Sequence, residues 1–201
     1  MRLHYRLTLY VALALARVLW GYGRSGADEI PLDGPVIIAC NHLSNWDPIL
    51  VGLACPREVH FMAKEELFRN RTLGWLIRIY NALPVRRGVM DRRALREASQ
   101  VLRNGEVLVM FPGGTRDSSG EVRDPKAGVG FIASRNEAPV VPAHITGTNR
   151  LSEAFLRRSR VRVAFGRAMT IAGTATGDEY REFSRRVADA IGGLRREVGS
   201  G

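Results

Sequence analysis

Val-Ile-Ile-Ala-Cys-Asn-His-Leu-Ser-Asn-Trp-Asp-Pro-Ile-Leu-Val-Gly-Leu-Ala, residues 36–54, carries a strand, a polar loop and a helix start in that order. Val36 to Cys40 is a short apolar run rich in β-branched residues, the pattern of a buried strand. Asp47 followed by Pro48 opens a helix, because a carboxylate accepts from free backbone N–H groups and proline has no N–H to lose in the first turn. Ile49 to Ala54 continues it as a second apolar run. His42 therefore falls in the loop after the C-terminal end of a strand, the edge at which open α/β sheets place their ligands. An imidazole titrates near neutrality and takes a proton from a hydroxyl when its other nitrogen is held by an acceptor. Asp47 has two carboxylate oxygens, one to cap its helix and one to orient His42. The plainer reading of the same spacing is a helix cap beside a polar loop residue.

Working outward, the alternation of strand and helix patterns continues. Residues 58–63 read as a second strand, 71–80 place Leu73, Leu76, Ile77 and Tyr80 at helical spacing, and 82–85 look extended. Asp91 to Arg103 carries Ala94, Leu95, Ala98, Val101 and Leu102 in one stripe, and Gly105 ends it. Glu106 to Phe111 is another buried strand and runs straight into Pro112-Gly113-Gly114-Thr115-Arg116. Two glycines let backbone N–H groups converge on an anion, and Arg116 adds a bidentate guanidinium; a glycine-rich turn with a surface arginine is the ordinary alternative. Asp124-Pro125 repeats the helix start, residues 140–145 and 161–166 read as strands, and a last helix over 178–198 opens on Thr176 and Glu179 as a capping box. Its Tyr180, Phe183, Val187, Ile191 and Leu194 share one face, and the other face is rich in arginine. His144 lies in a strand without a nearby carboxylate and reads as a packing residue. The expected fold is a single α/β domain whose central sheet is mostly parallel or mixed and flanked by helices.

The 201 residues suffice for one buried core. Cys40 and Cys55 lie in apolar runs without ligand spacing, which argues against a disulfide framework or a metal site and for a reducing compartment. The net charge of +10 comes from 30 cations, 28 of them arginine, against 20 acids. That balance favours a polyanionic partner, either nucleic acid or an anionic bilayer. Residues 7–20 are apolar nearly all round a helix, too short to span and interrupted by Arg17, with Arg2, Arg6 and Arg24 on the flanks. Trp20 and Tyr22 end this run as interfacial aromatics do, so residues 1–26 are expected to form an N-terminal membrane-associating helix and residues 27–201 the α/β domain. Packing on the domain's own core and a secretory signal are the competing readings of that run. No helix-turn-helix, zinc-finger or aromatic RNA-binding signature supports the nucleic-acid alternative.

Asn41 to Pro48 resembles the His-x-x-x-x-Asp signature of the glycerolipid acyltransferase family, with Asn41, Ser44 and Pro48 also in keeping. The resemblance extends over residues 61–88, through Lys64, Glu66, Leu67, Phe68, Gly74, Trp75, Pro84, Val85, Arg87 and Gly88. Residues 111–116 resemble the family's Phe-Pro-Glu-Gly-Thr-Arg motif, Lys126 to Ala133 its Lys-x-Gly helix, and residues 140–147 its last motif. Together these segments run in the family's order from about residue 34 to 166.

What the resemblance implies is acyl transfer from acyl-CoA or an acyl carrier protein to the free hydroxyl of lysophosphatidic acid, giving phosphatidic acid in phospholipid biosynthesis. His42 and Asp47 then inherit the catalytic roles, and Arg116, Thr115, Gly114 and Arg87 the binding of the substrate phosphate. Asn41, Ser44, Lys64, Gly113 and Pro142 are supporting positions, Pro142 shaping the acyl side unless it only marks an edge or bulged strand. Backbone N–H groups near the motif are expected to stabilise the oxyanion. No nucleophile elbow surrounds Ser44, so it reads as a loop hydrogen-bonder, and neither a cofactor nor a metal is called for. Gly113 departs from the family's Glu and removes an acceptor for a glycerol hydroxyl or a neighbouring cation. Glycerol 3-phosphate or another lysolipid as acceptor, and binding of lipid or nucleic acid without turnover, are the alternatives. The implied location is the cytoplasmic face of the cell membrane, with the protein lying on the bilayer as a monotopic or peripheral enzyme.

Overall fold

In the computed structural model, which describes residues 3–86, 91–155 and 160–199, the strand expected at 36–40 is the middle strand of a seven-stranded sheet. The strands in chain order are β1 (Gly23–Ser25), β2 (Val36–Cys40), β3 (Val59–Lys64), β4 (Ala82–Val85), β5 (Val107–Met110), β6 (Val140–Thr146) and β7 (Arg162–Phe165). Across the sheet they run β1-β7-β6-β2-β5-β3-β4. Every pairing is parallel except β6 with β7, which is antiparallel, so the mostly parallel, mixed sheet expected from the alternation of elements is what forms. β2 pairs with β5 on one side and β6 on the other, and all five of its residues are buried. Burial on both faces is why this strand is continuously apolar rather than alternating.

Seven helices cover the sheet among the described residues: α1 (Leu3–Trp20), α2 (Asp47–Ala54), α3 (Arg71–Ile79), α4 (Arg92–Arg103), α5 (Gly128–Arg135), α6 (Leu151–Phe155) and α7 (Gly177–Gly199). Side chains alternate across each strand, so Val36, Ile38 and Cys40 join one core with α1, α2, α3 and α6, while Ile37 and Ala39 join another with α4, α5 and α7. α4 begins at Asp91, whose carboxylate accepts from the N–H groups of Arg93 and Ala94 at 3.0 and 3.1 Å. α7 buries Phe183, Val187, Ile191 and Leu194, the stripe its periodicity announces. Its capping box is half made: Glu179 accepts from the Thr176 N–H at 2.7 Å and from the Thr176 hydroxyl at 2.9 Å.

Three expectations are corrected. Tyr22 is buried, and its hydroxyl donates to the Leu50 carbonyl at 2.6 Å, so it is a core residue and not an interfacial aromatic. Trp20 also packs against the core. The second Asp-Pro pair does not start a helix, because the Lys126 N–H is tied to the Pro112 carbonyl at 3.1 Å and α5 begins only at Gly128.

Pro142 lies in an interior strand, where the missing N–H would normally cost a ladder bond. Ala143 pairs with Phe165 whereas Val140 bridges to Met169, so three steps along β6 oppose four on its neighbour. That extra residue is a bulge, and Pro142 sits against it with its carbonyl accepting from the Gly166 N–H at 2.8 Å. β1 pairs with β7, so residues 23–25, within the segment expected to associate with membrane, belong to the sheet. No described helix is long and apolar enough to cross a membrane.

Candidate active site

β2 ends at Cys40, and Asn41 continues its pairing with a side chain in place of a backbone. The Asn41 amide donates to the Ile145 carbonyl at 3.0 Å and accepts from the Ile145 N–H at 2.7 Å, a bidentate contact that mimics a ladder rung. This pins the strand end, and the next residue, His42, is held through its carbonyl, which accepts from the Asp117 N–H at 2.8 Å. The His42 ring stacks on Phe111 with centroids 4.2 Å apart and planes 22° apart. Phe111 follows β5, so the ends of two adjacent parallel strands clamp one imidazole.

Asp47 is fully buried, and its carboxylate accepts four hydrogen bonds. Oδ2 takes His42 Nδ1 at 2.7 Å, Leu43 N–H at 2.6 Å and Ser44 N–H at 2.7 Å; Oδ1 takes the Thr148 hydroxyl at 2.5 Å. The double duty expected of Asp47 is thus corrected. It stands inside the first turn of α2, makes no cap, and spends both oxygens on the loop before the helix and on Thr148. When Nδ1–H is given to the carboxylate, Nε2 is left with a lone pair that can accept a proton. Within the motif, the Leu43 and Ser44 N–H groups point at Asp47 and are not free for an oxyanion. Ser44 Oγ accepts from the Trp46 N–H at 3.4 Å, as a loop hydrogen-bonder would.

At the second junction Gly114 N–H closes a turn onto the Phe111 carbonyl at 2.9 Å, so this N–H is spent within the loop rather than offered to an anion. Gly114 has φ +68°, and the Lys126 ammonium lies 3.2 Å from where a Cβ on it would stand, so a side chain here would be strained and would push the cation aside. Thr115 and Arg116 are exposed and Gly113 is half-buried. Arg116 is in no described ion pair, whereas Arg123 farther along is held by Glu121 at 3.0 Å and Asp117 at 3.6 Å. Lys64 is exposed at the C-terminal end of β3, on the same edge of the sheet, in register with Val85. Arg87 lies outside the described residues.

Pro142 is in register with Ala39, but its ring packs beside Gly166 and Leu194 on the α7 side, away from the layer that holds Phe111. The bulged strand that is the ordinary reason for a strand proline is present here. His144 is buried with Nδ1 lacking a described partner, and burial, helped by the Arg195 charge, pulls its pKa down to about 4. It is neutral near pH 7 and packs behind Asn41, as its strand position suggested. Burial, with the Asp47 charge adding, pushes the Cys40 thiol well up, so no thiolate nucleophile stands beside the motif. Phe111, Thr148 and Lys126 are the site residues that sequence reasoning missed. Phe111 was visible as the last residue of a strand pointing at the loop; Thr148, 101 residues from Asp47, left no signal.

A family model described as Acyltransferase matches residues 24–146. The chain is similar to the 1-acyl-sn-glycerol-3-phosphate acyltransferase of Streptococcus pneumoniae, at 35% identity over 147 residues, 72% of this chain and 54% of that protein. It is similar to the protein of the same name from Bacillus subtilis at 34% identity over 141 residues, 69% of each chain. The chain thus spans between about half and about two thirds of the length of these curated relatives. Among solved structures it is similar to the 1-acyl-sn-glycerophosphate (LPA) acyltransferase PlsC from Thermotoga maritima, with TM-score 0.68 and 27% identity, covering 97% of this chain and 84% of that one.

Proposed function

This chain belongs to the acyltransferase family, and from that premise we propose that it transfers a fatty acyl group from an acyl thioester to the free hydroxyl of lysophosphatidic acid, giving phosphatidic acid. The observation that carries the reading is the His42–Asp47 pair, a base oriented by a buried carboxylate at the C-terminal edge of the sheet. In the reaction, Nε2 of His42 takes the hydroxyl proton as the alkoxide oxygen bonds to the thioester carbon. Collapse of the tetrahedral intermediate breaks the C–S bond, and the thiolate leaves with the proton returned from the imidazolium. Asp47 stabilises that imidazolium and holds the tautomer. Arg116 and Lys126, with Arg87 and Thr115 from the family's motifs, would pair with the phosphate of the acceptor, and Gly114 keeps the loop low enough for Lys126 to approach. The thioester carrier is coenzyme A or an acyl carrier protein, and the mechanism asks for no further cofactor.

α1 supports a peripheral location on a membrane. One side of it packs through Leu9, Ala12, Leu13 and Ala16, and the other leaves Tyr10, Val11, Leu15 and Val18 more than half exposed. Outward apolar residues with the exposed Arg17 among them suit a bilayer interface. Gly113, in place of the family's Glu, favours widening the acceptor set to other lysolipids.

The test is transfer of labelled acyl groups from acyl-CoA, and separately from acyl carrier protein, to lysophosphatidic acid in mixed micelles, with His42→Ala alongside. Phosphatidic acid made by the parent and lost in the variant is the expected result. No product from either donor, on this acceptor or on a panel of other lysolipids, would overturn the enzymatic reading.

A further inference from the structure

The exposed large apolar side chains are not scattered over the molecule. Apart from Leu32, all of them stand on the side of the sheet covered by α1, α2, α3 and α6, and none lies on α4, α5 or α7 among the described residues. Beyond α1, this side presents Leu67 in the 3-10 turn Glu65–Arg69, then Leu73, Trp75 and Leu76 on α3, and Trp46 and Ile49 at the start of α2. Trp75 is 65% exposed although it sits in mid-helix, where solvent-facing positions of a globular domain are ordinarily polar. Trp46 lies in the His42–Asp47 loop itself, so the apolar surface reaches the mouth of the site.

Arginines stand beside these apolar side chains. Arg69, Arg71 and Arg78 are exposed around α3 and enter no described ion pair, Arg78 instead lying 4.9 Å over the Phe68 ring. The two acids of the stretch are Glu65, held by Arg86 at 2.7 Å, and Glu66. On α4 and α7 arginines are exposed as well, Arg93, Arg185 and Arg195 each facing a carboxylate and Arg92, Arg96 and Arg103 in no described ion pair, but no large apolar residue is exposed there, so what sets the α3 side apart is arginine together with outward Trp and Leu. A short helix with Trp and Leu outward and unpaired guanidiniums at its flanks matches an anionic lipid interface, where rings sit at headgroup depth and arginines meet phosphates.

We propose that α3 and the turn before it form a second membrane-docking element, which seats on an anionic leaflet together with α1 and the Trp46 loop and so holds the mouth of the site at the lipid surface. The proposal rests on the lipid reading above only for its choice of a bilayer as the occupant. A helix anchored at α1 alone would leave the domain free to pivot; a second contact on α3, at the far edge of the same sheet face, fixes its orientation.

The experiment is co-sedimentation of the full chain with vesicles of phosphatidylcholine alone and of phosphatidylcholine with phosphatidylglycerol. The double variant Trp75→Ser, Leu76→Ser is compared with the parent and with Leu32→Ser, an exposed apolar residue off this face. Expected is about a tenfold or greater loss of partitioning onto the anionic vesicles for the double variant, none for Leu32→Ser, and an unchanged melting temperature for both. Turnover of a short-chain lysophosphatidic acid, soluble as monomers, should be kept by the double variant. Parent-like vesicle binding by the double variant overturns the proposal. So does an equal loss of turnover on the monomeric acceptor, which would put these residues in the substrate site. Vesicle binding retained while the parent is a dimer and the variant a monomer also overturns it, and assigns the face to a second copy. Binding is read without turnover, so a protein that docks through α3 and makes no phosphatidic acid would sink the enzymatic reading and leave this one standing.

Discussion

Asp47 has two tasks that a substitution can pull apart. Its charge orients His42, and its oxygens also hold the Leu43 and Ser44 N–H groups and the Thr148 hydroxyl away from water. Asp47→Asn keeps the shape but offers an N–H₂ where donors already point. We expect kcat to fall by about 10²–10⁴-fold together with a stability loss of roughly 3 kcal/mol or more, read by steady-state kinetics and urea denaturation. His42→Ala should match the kinetic loss at a much smaller cost in stability, because only the ring stack on Phe111 and one contact to Asp47 go with it. The pair was legible in the sequence because the motif is local: four residues separate its members and the strand before it fixes where the loop lies. The oxygen on Thr148 was not, since nothing in a sequence ties residue 148 to residue 47 before the sheet is assembled. His144 supplies a pH dependence at this same scale. Its folded pKa is about 4 and its unfolded value about 6.5, so between them the unfolded chain binds the extra proton. The stability it contributes is full above pH ~6.5 and is lost as pH falls toward ~4, up to roughly 3 kcal/mol. His144→Leu should flatten the drop in urea midpoint between pH 7.5 and pH 5 relative to the parent.

At the scale of elements, amphipathic stripes were the readable signal and chain punctuation the unreliable one. α4 and α7 bury the residues their spacing picks out because a helix has no other way to hide that face. The Asp-Pro pair, in contrast, opens α2 at 47–48 and fails at 124–125, where the chain is still tied to the loop after β5 by the bond from Lys126 to Pro112. Close approach between helices was equally hidden. Gly130 of α5 faces α7 so closely that a Cβ would come within 2.4 Å of the Tyr180 carbonyl, a backbone atom that cannot swing aside. Ser184 of α7 donates nothing to solvent there; its hydroxyl accepts the Gly130 N–H at 3.1 Å. Gly130→Ala therefore raises intrinsic helix propensity yet should destabilise the protein, by about 1–3 kcal/mol, as the two helices are forced apart. A thermal melt settles the sign.

For the whole molecule, periodicity says which residues are buried but not which strands are neighbours, and so a mixed sheet was legible where the order β1-β7-β6-β2-β5-β3-β4 was not. The same limit applies to the first helix, whose sequence is apolar nearly all round and cannot say which side meets the core and which the lipid. The structure divides it: Ala16 is fully buried, and Val18, two residues on, is 69% exposed. Those positions separate folding from membrane association within one helix. Ala16→Glu puts a carboxylate into the core beneath α1 and should lower the melting temperature sharply, by the several kcal/mol that an unpaired buried charge costs. Val18→Glu should leave the melt in place and weaken association with anionic vesicles, since it sets a charge where the apolar face enters the interface and repels the headgroups as well. If the outer face of α1 is instead a solvated surface, Val18→Glu will change neither the melt nor the binding, and the net charge of +10 will account for whatever attraction to anionic vesicles remains.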